Sequence, residues 1–370
     1  MRLATALGLA LVALPGRLAV AQERTTIGGY GEVHYTDSTG TATPPAVNLA
    51  RFVVYLAHSF DDRLAFRSEL EIEDAKVEGG VAGGEVSLEQ AYLDYRLGSG
   101  ATLRTGLVLP PVGIVNETHE PPTFNGVDRP AFDHDVIPTT WRELGLGVVG
   151  SAAGAGLAYR VYLVNGLLAQ GFSASEGIRD GRQEGRQARF VNPSLTGRLE
   201  WARPGWKVGA SFWYGGTADT NKAVGSGAFA APVTLLSADA RYERGALAAR
   251  GVVANVSIRD AQAINAAYGG SVGSRIAGGY LEVAYNLLHV IAPASSARIN
   301  VFVRHERYDT QADVPVGVTR DRSLARRIST FGLTYKPTWN TVFKGDYQLV
   351  RNAAAVGEHE VVSLGFGYQF

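Results

Sequence analysis

Apolar and polar residues alternate along most of this chain, in segments of roughly 10 to 14 residues divided by turn-forming residues. Alternation with a period of two is typical of β-strands, because successive side chains of a strand point to opposite faces of the sheet. About sixteen such segments follow Thr25, and the clearest span 46–60, 63–75, 141–151, 190–202, 274–288 and 358–370. Each is long enough to cross a hydrocarbon core as a tilted strand, which takes about 9 to 11 residues.

Residues 1–21 have the features of a cleavable secretory signal peptide. A basic Arg2 precedes an apolar run of about twelve residues, and small residues at Ala19 and Ala21 mark a cleavage site. The run is too short for a membrane-spanning helix, which needs about 20 residues, and no later segment reaches about 18 consecutive apolar residues. We therefore expect export and cleavage, with residues 22–370 forming a single domain without helical spans.

The composition fits an exported sheet protein and argues against a nucleic-acid-binding protein. The chain has 45 Gly and no Cys, so it cannot use disulfides, which a closed hydrogen-bonded sheet does not need. Its 35 basic residues equal its 35 acidic residues. A nucleic-acid-binding surface would require a clear basic excess, so we expect no nucleic-acid partner.

Short and long connections alternate between the predicted strands. The short turns are predicted at 61–62, 98–100, 152–154, 203–205, 244–246 and 338–340, with one looser connection of the same set at 289–296. The longer loops are predicted at 38–45, 76–84, 111–140, 166–189, 218–232, 260–272, 310–325 and 351–358. Short periplasmic turns at one rim and long extracellular loops at the other are typical of outer-membrane barrels. We therefore predict an all-β fold, a transmembrane antiparallel β-barrel of about 16 strands.

The last predicted strand alternates apolar residues with small or polar ones from Val362 to the terminal Phe370. It resembles the C-terminal signature of outer-membrane proteins that the barrel insertion machinery reads. A closed barrel also pairs every backbone group in lipid, whereas an open sheet leaves its edges unpaired. We therefore expect a protein of a Gram-negative outer membrane, with membrane lipid, lipopolysaccharide and the insertion machinery as partners.

A barrel of this size predicts a pore. Eight strands are filled by their own side chains, whereas sixteen leave an aqueous channel. The predicted function is passive diffusion of small hydrophilic solutes and ions, without enzymatic activity or cofactor. The alternation places acidic and basic side chains inward in nearly equal numbers, so the strands alone predict no ion preference. The basic residues predicted to line the pore are Arg51, Arg67, Arg104, Arg160, Arg198 and Arg304.

The connection 111–140 carries several prolines and two phenylalanines. This composition indicates a structured segment, and in a barrel the inner wall offers a surface for it. We predict that it folds inward as the pore constriction; the alternative is an extracellular loop whose polar residues face water. The constriction candidates, with two residues that follow the loop, are Glu117, His119, Glu120, Asp128, Arg129, Asp133, His134, Asp135, Arg142 and Glu143.

Two further features of the loops have a plain interpretation. His119, Asp133, His134 and Asp135 are residue types that bind metals, but their spacing matches no recognised site, so we predict no metal. The loop 166–189 carries four arginines. We interpret it as a solvated surface loop that faces lipopolysaccharide; the alternative is a vestibule that attracts anions.

The chain resembles the phosphate-selective porin O and P family in three places. They are the opening strand 27–35, the block from Leu88-Glu89-Gln90-Ala91-Tyr92 to Trp141-Arg142-Glu143-Leu144-Gly145, and the terminal Phe370. The resemblance implies a sixteen-stranded homotrimer with an inward third loop, and an arginine ladder with a lysine cluster that guides phosphate.

Only part of that phosphate pathway has counterparts here. The ladder would consist of strand residues such as Arg51, Arg67, Arg104 and Arg142. The five lysines are scattered, at Lys76, Lys207, Lys222, Lys336 and Lys344. Anions such as phosphate are therefore candidate solutes rather than a predicted specificity.

Other classes of protein remain as alternatives. A barrel enzyme would need a nucleophile beside a base, and none of the seven histidines lies in a recognisable serine-containing motif. A structural or adhesive barrel would have a plugged lumen, and no sizeable region for a plug domain precedes the first predicted strand. An exported soluble β-protein would not need detergent after membrane fractionation.

Overall fold

The computed structural model describes residues 24–75, 84–217 and 229–370. The predicted signal peptide 1–21, the residues Lys76 and Lys222, and parts of the predicted loops 76–84 and 218–232 lie outside these residues. Among the described helices, none is long and apolar enough to cross a membrane.

Sixteen antiparallel strands in the described residues form one closed barrel, in which sequence neighbours pair and β1 pairs with β16. The strands are β1 Arg24–Thr39, β2 Ala46–Ser59, β3 Leu64–Glu73, β4 Val86–Arg96, β5 Ala101–Val108, β6 Glu143–Ala152, β7 Leu157–Val164, β8 Ser194–Arg203, β9 Trp206–Gly215, β10 Val233–Arg244, β11 Leu247–Ile258, β12 Arg275–Asn286, β13 Arg298–Asp313, β14 Ala325–Thr338, β15 Thr341–Asn352 and β16 His359–Gln369. The connections contain α1 Phe132–Asp135, α2 Ala261–Tyr268 and α3 Leu288–Ile291.

The predicted fold class is confirmed, including the alternation of short turns and long loops. The predicted short turns share one rim with the start of β1 and the end of β16, and we call it the short-turn rim. The long connections lie at the opposite end, which we call the loop rim. Because outer-membrane barrels have short periplasmic turns, the short-turn rim is the periplasmic one.

The outer face of the barrel is apolar and the inner face is polar. In β12, Leu281 points outward and is exposed, whereas its neighbours Tyr280 and Glu282 point inward and are buried. In β16, Leu364 is exposed on the outside and Ser363 is buried on the inside. Strands with these two faces meet lipid on one side and polar groups or water on the other.

β1 and β16 close the barrel along ten residue pairs. At the chain end, the backbone N–H of Phe370 donates to the oxygen of Gly29 at 2.8 Å, and the N–H of Gly29 donates back at 2.9 Å. A Cβ atom at Gly29 would lie 2.2 Å from the oxygen of Val53, so this close approach requires glycine. The last residue of the chain thus completes the hydrogen-bonded ring.

Aromatic side chains on the outer face mark the short-turn rim. The rings of Trp206 and Tyr242 have centroids 4.6 Å apart, and those of Tyr335 and Phe343 are 6.3 Å apart. Each pair lies on adjacent strands next to a short turn. Rings at strand ends are typical of the girdle that lies at the level of lipid headgroups.

We predict that Gly147 on β6 is required for packing of the inner wall. A Cβ atom there would lie 2.1 Å from the backbone oxygen of Val161 and 2.5 Å from the ring of Tyr162. Because backbone atoms cannot easily move away, Gly147→Ala should lower the free energy of unfolding by about 1 to 3 kcal/mol, measured by urea titration. The control is Gly98→Ala, where a Cβ atom meets no atom within 4 Å. Equal losses in both variants would contradict the packing argument.

Candidate functional site

Residues 109–142, between β5 and β6, lie inside the barrel, and we call them the inner loop. Asn116 holds its two ends together: the side-chain amide donates to the oxygens of Pro110 at 2.7 Å and Trp141 at 3.0 Å. The amide oxygen of Asn116 accepts from the N–H of Trp141 at 2.7 Å. Because Asn116 is fully buried, these hydrogen bonds fix the base of the loop where it leaves the wall.

The inner loop first follows the wall formed by β7, β8 and β9. Arg198 on β8 donates to the backbone oxygen of Gly113 at 3.0 Å, and Arg160 on β7 forms an ion pair with Glu117 at 3.0 Å. The loop then crosses to β3 and β4, where Nε2 of His119 lies 3.5 Å from Glu69 and 3.1 Å from Glu89. These contacts lie on well-separated parts of the wall, so the loop spans the lumen.

The tip of the inner loop reaches β13, β15 and β1. Asp346 on β15 accepts from the N–H of Val127 at 2.6 Å, and Glu306 on β13 accepts from the N–H of Phe132 at 2.9 Å. Asp128 lies 3.3 Å from the imidazole of His34 on β1. The inner loop is thereby attached to strands around most of the circumference.

Apolar side chains bury one part of the inner loop against the wall. Phe132 and Ile137 belong to a buried cluster that includes Tyr280 on β12 and Val252 on β11. The rings of Phe132 and Tyr280 have centroids 5.7 Å apart. On this side packed side chains fill the lumen.

The loop 165–193 also packs inside the barrel. Leu167 and Ile178 are buried in the same cluster, and Arg182 donates to the oxygen of Thr140 at 3.0 Å. The interpretation of residues 166–189 as a solvated surface loop is therefore wrong. The arginines of the loop 165–193 donate hydrogen bonds to carbonyl groups of the inner loop. These hydrogen bonds hold the loop 165–193 inside the barrel.

The structure divides the predicted constriction residues into two groups. The members that keep solvent-exposed surface are Glu117, Glu120, Asp128, Arg129 and His134. The buried members are His119, Asp133, Asp135, Arg142 and Glu143. Buried groups do not meet a passing solute and instead hold the loop in position. Asp135, for example, accepts from the hydroxyl of Tyr308 at 2.7 Å.

The predicted pore-lining arginines divide in the same way. Arg198 forms an ion pair with Asp239 at 2.6 Å, and Arg304 forms one with Glu306 at 2.9 Å; both arginines are buried. Arg51 pairs with Glu32 at 2.7 Å and is largely covered. Arg67 is exposed, whereas Arg104 and Arg160 are partly buried, with side chains 19% and 28% exposed.

We call Arg67, Arg104 and Arg160 the stepped arginines, because the strand register places them in steps along the inner wall. Arg67 on β3 lies in one row with Tyr92 on β4, and Arg104 on β5 is the next inward position toward the short-turn rim. Arg104 in turn shares a row with Tyr162 on β7, and Arg160 is one inward position further.

The stepped arginines differ in how they are neutralised. Arg104 forms a bidentate pair with Asp94 at 2.8 and 2.9 Å, and its guanidinium carbon lies 3.9 Å from the centroid of the Tyr92 ring. Arg160 is paired with Glu117. Arg67 is exposed and forms no ion pair within 24–75, 84–217 and 229–370.

The metal-binding residue types of the inner loop do not meet at one point. His119 lies with Glu69 and Glu89, whereas His134 and Asp135 lie with Glu176 of the neighbouring loop. We did not predict Glu69 or Glu89 as site residues. Glu89 was missed because a β-bulge changes the face on which it lies. The available signal was the break in alternation at Leu88-Glu89-Gln90.

A cavity of about 690 Å³ opens between the inner loop and the short-turn rim. Phe124 and Asn125 of the inner loop form part of its lining, together with Lys207, Arg241 and Lys336. Lys336 donates to the oxygen of Pro122 at 2.6 Å, which attaches the inner loop to β14. The cavity gives the periplasmic side of the inner loop a polar vestibule.

An uncharacterised protein of Aquifex aeolicus (strain VF5) is 37% identical to this chain over 335 residues, which cover 87% of this chain and 74% of the relative. No family model matches the chain.

Three solved structures share the fold at low sequence identity. OmpF of Salmonella typhi in complex with daunomycin is 15% identical with a TM-score of 0.60, and the match covers 94% of this chain and 97% of that one. An anion-selective porin from Comamonas acidovorans is 11% identical with a TM-score of 0.55, covering 94% and 100%. The trimer form of OmpT of Vibrio cholerae is 11% identical with a TM-score of 0.55, covering 94% and 99%. These likenesses concern the barrel fold.

We predict that Asp133 makes stability pH-dependent. Burial raises the pKa of Asp133 to about 7, with the hydroxyl of Tyr280 lowering it and Glu306 raising it. An unfolded Asp has a pKa of about 3.9, so the stability contributed by the protonated form is complete below that pH and is lost as pH rises to about 7. The free energy of unfolding of the wild type should therefore fall by up to about 1.4 kcal/mol per pH unit in this window, and that of Asp133→Asn should not.

Urea unfolding at about pH 4 and about pH 8 measures this difference. The variant should gain stability over the wild type at the higher pH and not at the lower one. The control is Asp62→Asn in an exposed turn, which should follow the wild type at both. A pH-independent difference between Asp133→Asn and the wild type would show that Asp133 is ionised throughout.

Proposed function

We propose that this chain, which belongs to the same family as the uncharacterised Aquifex aeolicus protein, is a porin of a Gram-negative outer membrane. It would let small hydrophilic solutes and ions diffuse passively, without enzymatic activity. The proposal is supported by a closed sixteen-stranded barrel with an apolar outer face and a charged inner face.

The stepped arginines are the observation on which the proposal depends. Arg67 is exposed on the inner wall, and Arg104 and Arg160 keep part of their side chains exposed beside it. Thr118 and Asp128 of the inner loop are also exposed. We infer that the diffusion path passes Arg67 and the exposed residues of the inner loop, which form the constriction.

Anions such as phosphate are candidate solutes for this path. One neighbour in fold is described as an anion-selective porin, and Arg67 supplies a positive charge that has no ion pair in the described part of the chain. The lysines within the described ranges are otherwise engaged: Lys336 by the inner loop, Lys207 by Glu200 at 3.2 Å, and Lys344 over the ring of Phe124 at 3.5 Å. We therefore propose a modest anion preference and no dedicated phosphate site.

The outer surface supports membrane lipid and lipopolysaccharide as partners. Arg307, Arg327 and Arg351 lie side by side on β13, β14 and β15 near the loop rim, on the outward face. Like charges opposite one another are unfavourable in a sheet unless anions neutralise them. Arg351 pairs with Glu360 at 3.2 Å, whereas lipid phosphates would neutralise the other two.

Two further partners follow from likeness to other proteins. The insertion machinery would read the terminal strand, in which Phe370 completes the barrel. A homotrimer is proposed because the neighbour OmpT occurs in a trimer form. Both proposals concern assembly and do not affect the diffusion path inside one barrel.

A structural barrel without an open pore is the second candidate. It is favoured by the attachment of the inner loop to strands around most of the wall and by the buried apolar cluster. Conductance decides between the two candidates, because a plugged barrel carries no ionic current.

We predict that the purified protein conducts ions in planar bilayers and that Arg67→Glu shifts its selectivity toward cations. Replacing an unpaired positive charge on the path by a negative one should change the anion-to-cation permeability ratio by roughly twofold or more. The reversal potential under a salt gradient measures this ratio, and added phosphate then tests for competition.

The control for this experiment is Arg244→Glu, an exposed residue on the outer face at the short-turn rim. It makes the same charge change outside the lumen and should leave the ratio unchanged. Absence of conductance would favour the structural barrel, and equal shifts in the two variants would exclude Arg67 from the path.

A further inference from the structure

Glu69, Glu89 and His119 bring three metal-binding groups to one point of the inner wall. One ligand atom from each lies within 4.8 Å of the others. The Nε2 atom of His119 is 3.1 Å from Oε2 of Glu89 and 3.5 Å from Oε1 of Glu69. Ligands bound about 2.0 to 2.1 Å from a tetrahedral zinc ion lie about 3.3 Å from one another, so both distances match the edges of such a site.

We propose that these three residues bind a divalent transition-metal ion of the zinc class. Imidazole and carboxylate ligands suit such ions, and three protein ligands leave a fourth position for water or another donor. The proposal goes beyond diffusion and does not depend on it, because a plugged barrel could hold the same ion.

An unpartnered atom points to a missing ligand at this position. Glu89 is fully buried, and its Oε1 atom has no hydrogen-bond partner. Glu69 is 2% exposed, and its Oε1 atom has only the long contact with His119. An unpaired carboxylate oxygen is costly to bury, and a cation between the two carboxylates would supply the absent interaction.

The surrounding hydrogen bonds orient the proposed ligands. Nδ1 of His119 lies 3.0 Å from the carbonyl oxygen of Asn116, so the imidazole donates there and directs its Nε2 lone pair at the carboxylates. Gln90 donates to the second oxygen of Glu69 at 2.7 Å, which leaves Oε1 free to face His119. Metal-binding histidines typically donate their other ring N–H to a carbonyl or carboxylate in this way.

A β-bulge in β4 directs Glu89 into the lumen. Glu69 pairs with Gln90 and Leu70 pairs with Leu88, so Glu89 is the extra residue without a partner. Strict alternation from the inward Gln90 would have placed Glu89 on the lipid side. Bulges often re-aim a side chain beside a functional site, and this one brings a third ligand to the inner wall.

The local charge also favours a dication. Glu32 on β1, Glu69 and Glu71 on β3 and Glu89 on β4 are all buried, with β2 between β1 and β3. Arg51 pairs with Glu32 and Glu71, and His34 lies 3.2 Å from Glu32. Glu69 and Glu89 form no ion pair with an arginine or lysine in the described residues, so both of their negative charges are unbalanced when His119 is neutral. A proton on His119 is the competing occupant and neutralises only one of them.

The test is retention of zinc by the full-length barrel. The protein is refolded from urea into detergent with Zn²⁺, passed through a gel-filtration column, and analysed for metal by mass spectrometry. We expect about one zinc ion per chain in the wild type and a roughly tenfold or greater loss in Glu89→Gln and His119→Gln. Visible absorption after substitution with Co²⁺ reports whether the ion is tetrahedral.

Matched variants separate this site from other histidines. His305→Gln changes an outward histidine that is hydrogen-bonded to Ser329 and should retain zinc as the wild type does. His134→Gln tests the second cluster, with Asp135 and Glu176. Loss of zinc in His134→Gln but not in His119→Gln would overturn the proposal, as would a wild-type barrel that folds without retaining zinc. If the two ligand variants do not fold, the thermal stability of the wild type is measured instead with Zn²⁺ and with Mg²⁺. We expect Zn²⁺ to raise it and Mg²⁺ to leave it unchanged.

Discussion

The pairing of every strand with two neighbours is the constraint on which the rest of the structure depends. A sheet in lipid has no water to satisfy an open edge, so the first and last strands must meet. Closure forces side chains to alternate between a lipid-facing and an inward-facing surface. It also leaves the long connections only two places, the loop rim and the lumen. The inner loop and the loop 165–193 lie in the lumen, because the wall offers them both apolar and charged partners.

Burial of so many charges inside the barrel follows from this arrangement. Arg198, Asp239, Arg304 and Glu306 lie beneath the inner loop with almost no accessible surface. A buried ion pair stabilises a protein little by itself, but removing one partner leaves an uncompensated charge, which is strongly unfavourable. These networks of buried ion pairs therefore fix the inner loop in one position, and they add little to the stability of the barrel. Of the stepped arginines, the exposed Arg67 lies outside these networks, whereas Arg160 helps to hold the inner loop through Glu117.

The sequence predicted the barrel well and the interior poorly, for different physical reasons. Period-two alternation is a local signal, and it located strands such as β2 and β16 to within a few residues. The burial of Asp133 and Glu143 depends on contacts with distant strands, which no local pattern reveals. The loop 166–189 was misread because its arginines indicate water in isolation, although carbonyl groups of another loop bind them. Glu89 changed faces through a single bulge, which alternation cannot anticipate.

The distribution of partners along the inner loop has a consequence for the order of assembly. Asp128 is bound by His34 on the first strand, and the adjoining Val127 is bound by Asp346 on the fifteenth. These two strands are far apart in sequence and are brought near each other only when β16 joins β1. The tip of the inner loop therefore has no complete binding surface on a growing, open sheet. We therefore expect the tip to dock after the ring has formed, and its contacts with β1 and β15 then join the strands on the two sides of β16.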